Sequence, residues 1–256
     1  MLSTKPNAGR RPGEDGYILI TAVWLLLLGA SIVAIIMVHN LRYSEELSFE
    51  REMIKIGDAQ ESAVETIIAD ILFNGPRSQF ALLPATSEYR IDGVSMQVSV
   101  SNENGKIDLN QADLELIRRA LQGLGVSGVP REKFVMLVRQ GRYTEHPFRS
   151  MIDVSSAFAQ AGIGTTDGFC PEQYFTAFSG LSQPQSNQMD PRLSKALGEA
   201  SSSDQQRFRP GNALRLEIVA EKGLPLVAVV RTSGLIDRSH SVLDWGVGAG
   251  CYQPDI

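Results

Sequence analysis

Histidine, cysteine and aromatic side chains are scarce in this chain: of 256 residues, 3 are histidine and 2 are cysteine, and 7% are aromatic. The histidines are His39, His146 and His240, and none has a Cys, His, Asp or Glu at metal-ligand spacing. There is no G-x-S-x-G, no phosphate-binding P-loop and no H-E-x-x-H. Motif-borne nucleophilic, nucleotide and zinc chemistry is thereby excluded, and the chain reads as a non-enzyme. Asp190, Asp204 and Asp237 stand isolated, and no D-x-[DN]-x-[DN]-G loop occurs, so no calcium ligand is named. Positive charge is in deficit: 24 Lys and Arg against 29 Asp and Glu, a net charge of −5. That is a poor start for binding nucleic acid, which draws on cations at phosphates. No internal repeat of the solenoid kind is visible. The two cysteines, Cys170 and Cys251, could form a disulfide in an extracytoplasmic compartment or stand as two thiols, since sequence does not place their Cα atoms.

What the chain does have is one long uncharged run, Tyr17 to Val38. As a helix it would measure roughly 33 Å, enough to cross a hydrocarbon core of about 30 Å. A helix satisfies its own backbone groups and so tolerates lipid. Lys5, Arg10 and Arg11 precede the run; Arg42, Glu45, Glu46 and Glu50 follow it. The positive-inside rule then expects a cytoplasmic N-terminus and an extracytoplasmic remainder. A cleaved secretory signal fits poorly, because the run is too long and ends in Met37-Val-His-Asn-Leu-Arg42 without a small-residue cleavage site.

Past the run, Leu41 to Phe73 holds no proline and a single glycine, Gly57. Met53, Ile56, Ala63, Val64, Ile67, Ile68, Ile71 and Leu72 recur at steps of three and four, which predicts one apolar stripe on a continuing helix. Asn74-Gly-Pro76 should end it. Glu88 to Ser101 predicts two strands turning at Asp92-Gly93, and 102–105 a further turn. Three helices are then expected: Leu109–Leu121 with Asn110 as N-cap and Asp113 three residues on, Pro130–Gln140 with proline at its first position, and one from about Ser150 to Ala161. A polar loop covers 201–206. Strands return at Ala213–Ala220, Leu226–Thr232 and Ser241–Trp245, where Val242, Leu243 and Trp245 are expected in the core. The fold class is therefore α+β, with a helical insert between strands. The expected divisions are a leader over 1–16, a transmembrane stretch over 17–38, the first part of the helix-and-sheet domain over 39–107, the insert over 108–210 and the C-terminal strands of the same helix-and-sheet domain over 211–256.

Several of these segments carry a resemblance. Gly16 sits directly before the apolar run, after a short basic leader, as in type IV prepilins. Most of that class carry Glu at the fifth mature position, where this chain has Thr21. Glu103-Asn-Gly-Lys-Ile-Asp-Leu-Asn110, then Tyr174-Phe-Thr-Ala-Phe-Ser-Gly180 with Met189-Asp-Pro-Arg192, and last Ser241-Val-Leu-Asp-Trp245 follow in an order and spacing similar to the K-type minor pseudopilins (GspK) of type II secretion systems. Many of those relatives have an aromatic residue before the valine of the last segment; this chain has Ser241.

The resemblance implies a pilin-like domain, in which a long N-terminal helix packs on an antiparallel sheet, with an inserted helical domain of helix-hairpin-helix or SAM-like type. It implies cleavage between Gly16 and Tyr17 by a prepilin peptidase and methylation of Tyr17. It also implies a place at the tip of a periplasmic pseudopilus that helps export folded proteins. The expected partners are the I- and J-type minor pseudopilins, the major pseudopilin and the inner-membrane assembly platform. The class uses the missing Glu to meet the N-terminal amine of a neighbouring subunit, so a tip subunit with no neighbour above it loses little with Thr21. No cofactor is expected, although relatives can bind calcium. The rival reading is a membrane-anchored helix-hairpin-helix protein of a DNA-uptake apparatus. It rests on Leu124 to Pro130 and Pro147 to Ser150, with Arg131, Lys133, Arg139, Arg142 and Arg149 supplying local charge.

Overall fold

The first element is a helix, α1, over Glu14–Asn74, 61 residues in all. It ends where expected, with Gly75 in the left-handed region at φ 48° and Pro76 behind it. The structure, a computed structural model, describes residues 14–126, 128–143, 147–164, 169–199, 206–233 and 239–248. The chain divides into two compact units, Met1–Lys55 and Ile56–Ile256. In the first, Leu19–His39 is a helical stretch long and apolar enough to cross a membrane, and none of it is buried by protein. Ser31 donates its hydroxyl to the Leu27 carbonyl at 2.8 Å, which satisfies it inside an apolar helix.

In the second unit the stripe is realised. Ile56, Ala59, Ala63, Val64, Ile67, Ile68 and Ile71 are all buried, while the neighbouring polar positions of α1 face water. The only buried polar side chain in that stripe, Gln60, donates to the carbonyls of Ile218 and Leu224 at 3.1 and 3.0 Å. These bonds fix the helix to the sheet as well as satisfying the amide.

The strands are β1 (Leu82–Leu83), β2 (Ala85–Ile91), β3 (Val94–Asn102), β4 (Ile107–Asp108), β5 (Phe175–Thr176), β6 (Gln206–Arg207), β7 (Ala213–Ala220), β8 (Leu226–Thr232) and β9 (His240–Val247). Five of them form one antiparallel sheet in the order β2-β3-β7-β8-β9. The β2–β3 hairpin turns at Asp92 and Gly93 with φ 51° and 80°, the positive values such a two-residue turn needs. Two short pairs stand apart: β1 with β6, and β4 with β5, the latter parallel.

Among the described residues, the α-helices after α1 lie between β3 and β7, which are adjacent in the sheet: α2 (Leu114–Gly123), α3 (Gly128–Tyr143), α4 (Met151–Ala161), α5 (Pro171–Tyr174) and α6 (Pro191–Leu197). Their core is aromatic at its centre. Phe134 and Phe158 meet at 4.0 Å between ring centroids, and Phe158 and Phe175 at 5.3 Å. Ala213 of β7 and Val229 of β8 belong to the same buried cluster, so helices and sheet share a core.

Three local expectations are corrected. Asn110 does not cap α2; the helix starts later, and Asp113 is the N-cap, its carboxylate accepting from the Glu115 N–H at 2.8 Å. Pro130 is the third residue of α3, still within the turn where a missing N–H is harmless. Val242 and Trp245 are not core: β9 is an edge strand, and they are 48% and 38% exposed.

Candidate functional site

Three of the segments that carry the resemblance occupy two places. Gly16 and Tyr17 lie in the first turn of α1. Residues 1–13 of the expected leader lie outside the described residues.

The second place is a polar joint where two distant stretches meet. Ile107 and Asp108 pair in parallel with Phe175 and Thr176, and the Leu109 N–H donates to the Thr176 carbonyl at 2.8 Å. Asp108 is buried, and its carboxylate accepts from the Gly180 N–H at 2.7 Å, the Ser179 hydroxyl at 3.2 Å and the Asn110 N–H at 2.8 Å. Asn110 then uses its whole amide. Its Nδ2 donates to the carbonyls of Phe148 and Ala177, at 2.8 and 3.2 Å, and its Oδ1 accepts from the Phe148 N–H at 3.0 Å. A carboxylate and an amide, each short and each holding three partners, form a clasp between the 103–110 and 174–180 segments. Residues of those types sit there because buried backbone groups must be paired.

Beside the clasp is a buried ionic cluster. Lys106 pairs with Glu103, and Arg215 of β7 pairs with Glu172 of α5, all four side chains being nearly inaccessible. Burial pushes the Lys106 ammonium below its ordinary pKa, against the raising effect of Glu103. Burial would lower Arg215 as well, but Glu103 and Glu172 together hold it raised. The charges cancel in pairs, which is how buried ions are tolerated. This cluster was not singled out in the sequence, where Glu172 and Arg215 have no local pattern to mark them. Further bonds cross between helices and sheet: the Met151 N–H donates to Asp244 of β9 at 2.9 Å, and Arg231 of β8 donates to the Phe178 carbonyl.

The buried charges face each other, and the clasp's polar atoms hold backbone. His39 is exposed on α1, His240 lies 3.5 Å from Glu65, and His146 is outside the described residues. Among the described residues no group of three or more His, Cys, Asp or Glu could hold a metal ion. Asp190 serves as N-cap of α6, accepting from the Arg192 N–H at 2.7 Å; Asp204 and Asp237 are outside the described residues. Cys170 is buried, and Cys251 is outside the described residues.

The hairpin between α2 and α3 bears on the DNA reading. The N–H groups of Leu124, Gly125 and Val126 donate to the carbonyls of Ala120, Gln122 and Leu121, at 2.9, 3.1 and 2.8 Å. Amides that close α2 in this way are not presented to a phosphate. Arg131 pairs with Glu132, and Arg142 donates to the Leu109 and Ala112 carbonyls. Two of the five cations that the DNA reading relies on are thus held within the fold.

No protein-family model matches the chain, and no curated protein matches it. Among solved structures it is similar to a chain in the crystal structure of the GspK-GspI-GspJ complex from the enterotoxigenic Escherichia coli type 2 secretion system. The identity is 9% and the TM-score 0.49, with 82% of this chain and 100% of that chain covered. The fold itself is α+β, a long helix and an antiparallel sheet interrupted by helices.

Proposed function

We propose that this chain is a K-type minor pseudopilin of a type II secretion system: a membrane-anchored, non-catalytic component that caps and helps initiate the periplasmic pseudopilus. The observation that carries the reading is the clasp. Two of the four segments that together carry the resemblance, 103–110 and 174–180, are far apart in sequence yet are joined through Asp108 and Asn110. Motifs that serve one joint give their order and spacing a physical reason. The membrane-length stretch Leu19–His39 supports the anchor. In this reading the N-terminus is cytoplasmic and the sheet and helices are periplasmic. A prepilin peptidase cuts between Gly16 and Tyr17, and Tyr17 is methylated. The I- and J-type minor pseudopilins are the lateral partners.

The test is the intact mass of the protein, expressed with and without a prepilin peptidase. Loss of residues 1–16 with an added methyl on Tyr17 is expected, and Gly16→Val should leave the precursor whole. A leader that stays intact in the unaltered chain beside an active peptidase would remove the reading and leave an ordinary single-span protein.

A further inference from the structure

The outward face of α3 carries a line of exposed apolar side chains. Val129, Met136 and Tyr143 are 79%, 60% and 84% exposed. They stand at intervals of seven, so they fall on one line along the helix, about 21 Å long at about 1.5 Å per residue. The inward face is already used: Phe134, Val135 and Val138 are buried in the helical core. Charge flanks the line. Lys133 stands four residues after Val129, on one side of it, and Arg139 three after Met136, on the other. Both are exposed, and among the described residues neither is held in an ion pair. The carboxylate of α3, Glu132, already has Arg118 and Arg131 as partners. In a chain with a net charge of −5, this face is locally positive.

The pattern selects among ligands. A phosphate backbone would use Lys133 and Arg139 but offers nothing to three exposed apolar side chains. A bilayer surface takes a broad apolar face, whereas this line is one side chain wide and has charged or polar neighbours on both sides. A second helix with the same seven-residue period fits both features. Its apolar residues pack along the line, and carboxylates beside them reach the two cations.

We propose that the outward face of α3 docks an acidic amphipathic helix of a partner protein, seated on Val129, Met136 and Tyr143 and held by Lys133 and Arg139. The apolar line supplies the contact area and the cations select an acidic partner over a basic one. The proposal stands apart from the pseudopilin reading, which leader processing tests separately.

The test holds the full chain in nanodiscs of zwitterionic lipid, with empty discs as the blank. Two fluorescent peptides of about three heptads serve as probes, each with leucine at a and d; one carries glutamate at e and g, the other lysine. The glutamate peptide should bind saturably, and the lysine peptide about tenfold more weakly. Met136→Glu should weaken the glutamate peptide about tenfold, because a charge replaces the centre of the apolar line. Lys133→Glu with Arg139→Glu should reverse the preference between the two peptides. Each altered side chain is exposed, and a circular-dichroism melt confirms that the variants stay folded. Equal binding of the two peptides, no saturable binding of either, or an affinity unmoved by Met136→Glu overturns the proposal. A DNA duplex or an anionic vesicle that binds where the glutamate peptide does not overturns it as well, and assigns the face to that ligand.

Discussion

Gly105, in the Glu103–Asn110 segment, packs directly against the backbone of another stretch of chain. A Cβ built there would lie 2.0 Å from the Gln188 carbonyl oxygen and 2.5 Å from its carbon, both backbone atoms that cannot swing aside. Its place in the Glu103–Asn110 motif therefore follows from close approach of two chain segments. Gly105→Ala should cost about 1–3 kcal/mol, the usual penalty for overpacking, read as a lower urea midpoint with an unchanged slope. The neighbouring Lys106 makes a sharper case. Lys106→Met removes one of two cations from a buried set that also holds Glu103 and Glu172. The unpaired carboxylate should cost about 3–5 kcal/mol, whereas Glu103→Gln with Lys106→Met should recover much of the loss, because the pair itself contributes little net stability. A double variant no better than the single one would assign the cost to lost packing of the lysine stem.

At the scale of elements, α2 and α3 are linked at the surface by Arg118 of α2, which pairs with both Glu115 and Glu132, and by Arg131 of α3, which donates to the Gln122 side-chain carbonyl at 3.2 Å and also pairs with Glu132. The hydrogen bond from Arg131, with that from Arg118, holds the Glu132 carboxyl below the ordinary carboxylate range. Its folded pKa is thus lower than its unfolded one. The contribution is present above the unfolded value of about 4.3 and is lost as pH falls through the folded value. Glu132→Gln should therefore melt below the unaltered protein at about pH 6 and approach it toward about pH 3, with a smaller gap at high salt. A gap of constant size would mean that the glutamate acts through packing.

The same scale shows what was legible beforehand. The α1 stripe, the β2–β3 turn, α4 and the strands from Ala213 onward have local causes: periodicity, positive-φ turn residues, and the Ser150 capping box with Asp153. The clasp motifs were visible as a pattern, but their chemistry was not. Asn110 looked like a helix cap because its bonds to Phe148 and Ala177 span 38 and 67 residues of sequence. The short elements β1, β4, β5, β6, α5 and α6 were not foreseen, since two to seven residues held by distant partners carry too little period to register. Trp245 was expected in the core because strand alternation says which residues share a face but not whether that face is covered.

For the whole molecule, the decisive quantity is how the apolar surface of α1 divides between lipid and protein. Every buried residue of its stripe, from Ile56 to Ile71, belongs to the second compact unit. The exposed apolar stretch Leu19–His39 belongs to the first. A chain beginning at Ile56 should therefore keep its core and lose its need for detergent, giving a monodisperse protein with one cooperative melt. A chain beginning at Gly75 lacks Ile56, Val64, Ile67, Ile68 and Ile71, which are all buried. At about 1.5–3 kcal/mol for each such side chain, the loss is of the same order as the roughly 5–15 kcal/mol that holds a domain folded. That shorter chain should be aggregated or without a cooperative transition. If it folds as well as the longer one, α1 contributes no core, and a helix serving as both anchor and core element, which the pseudopilin reading needs, is lost with it.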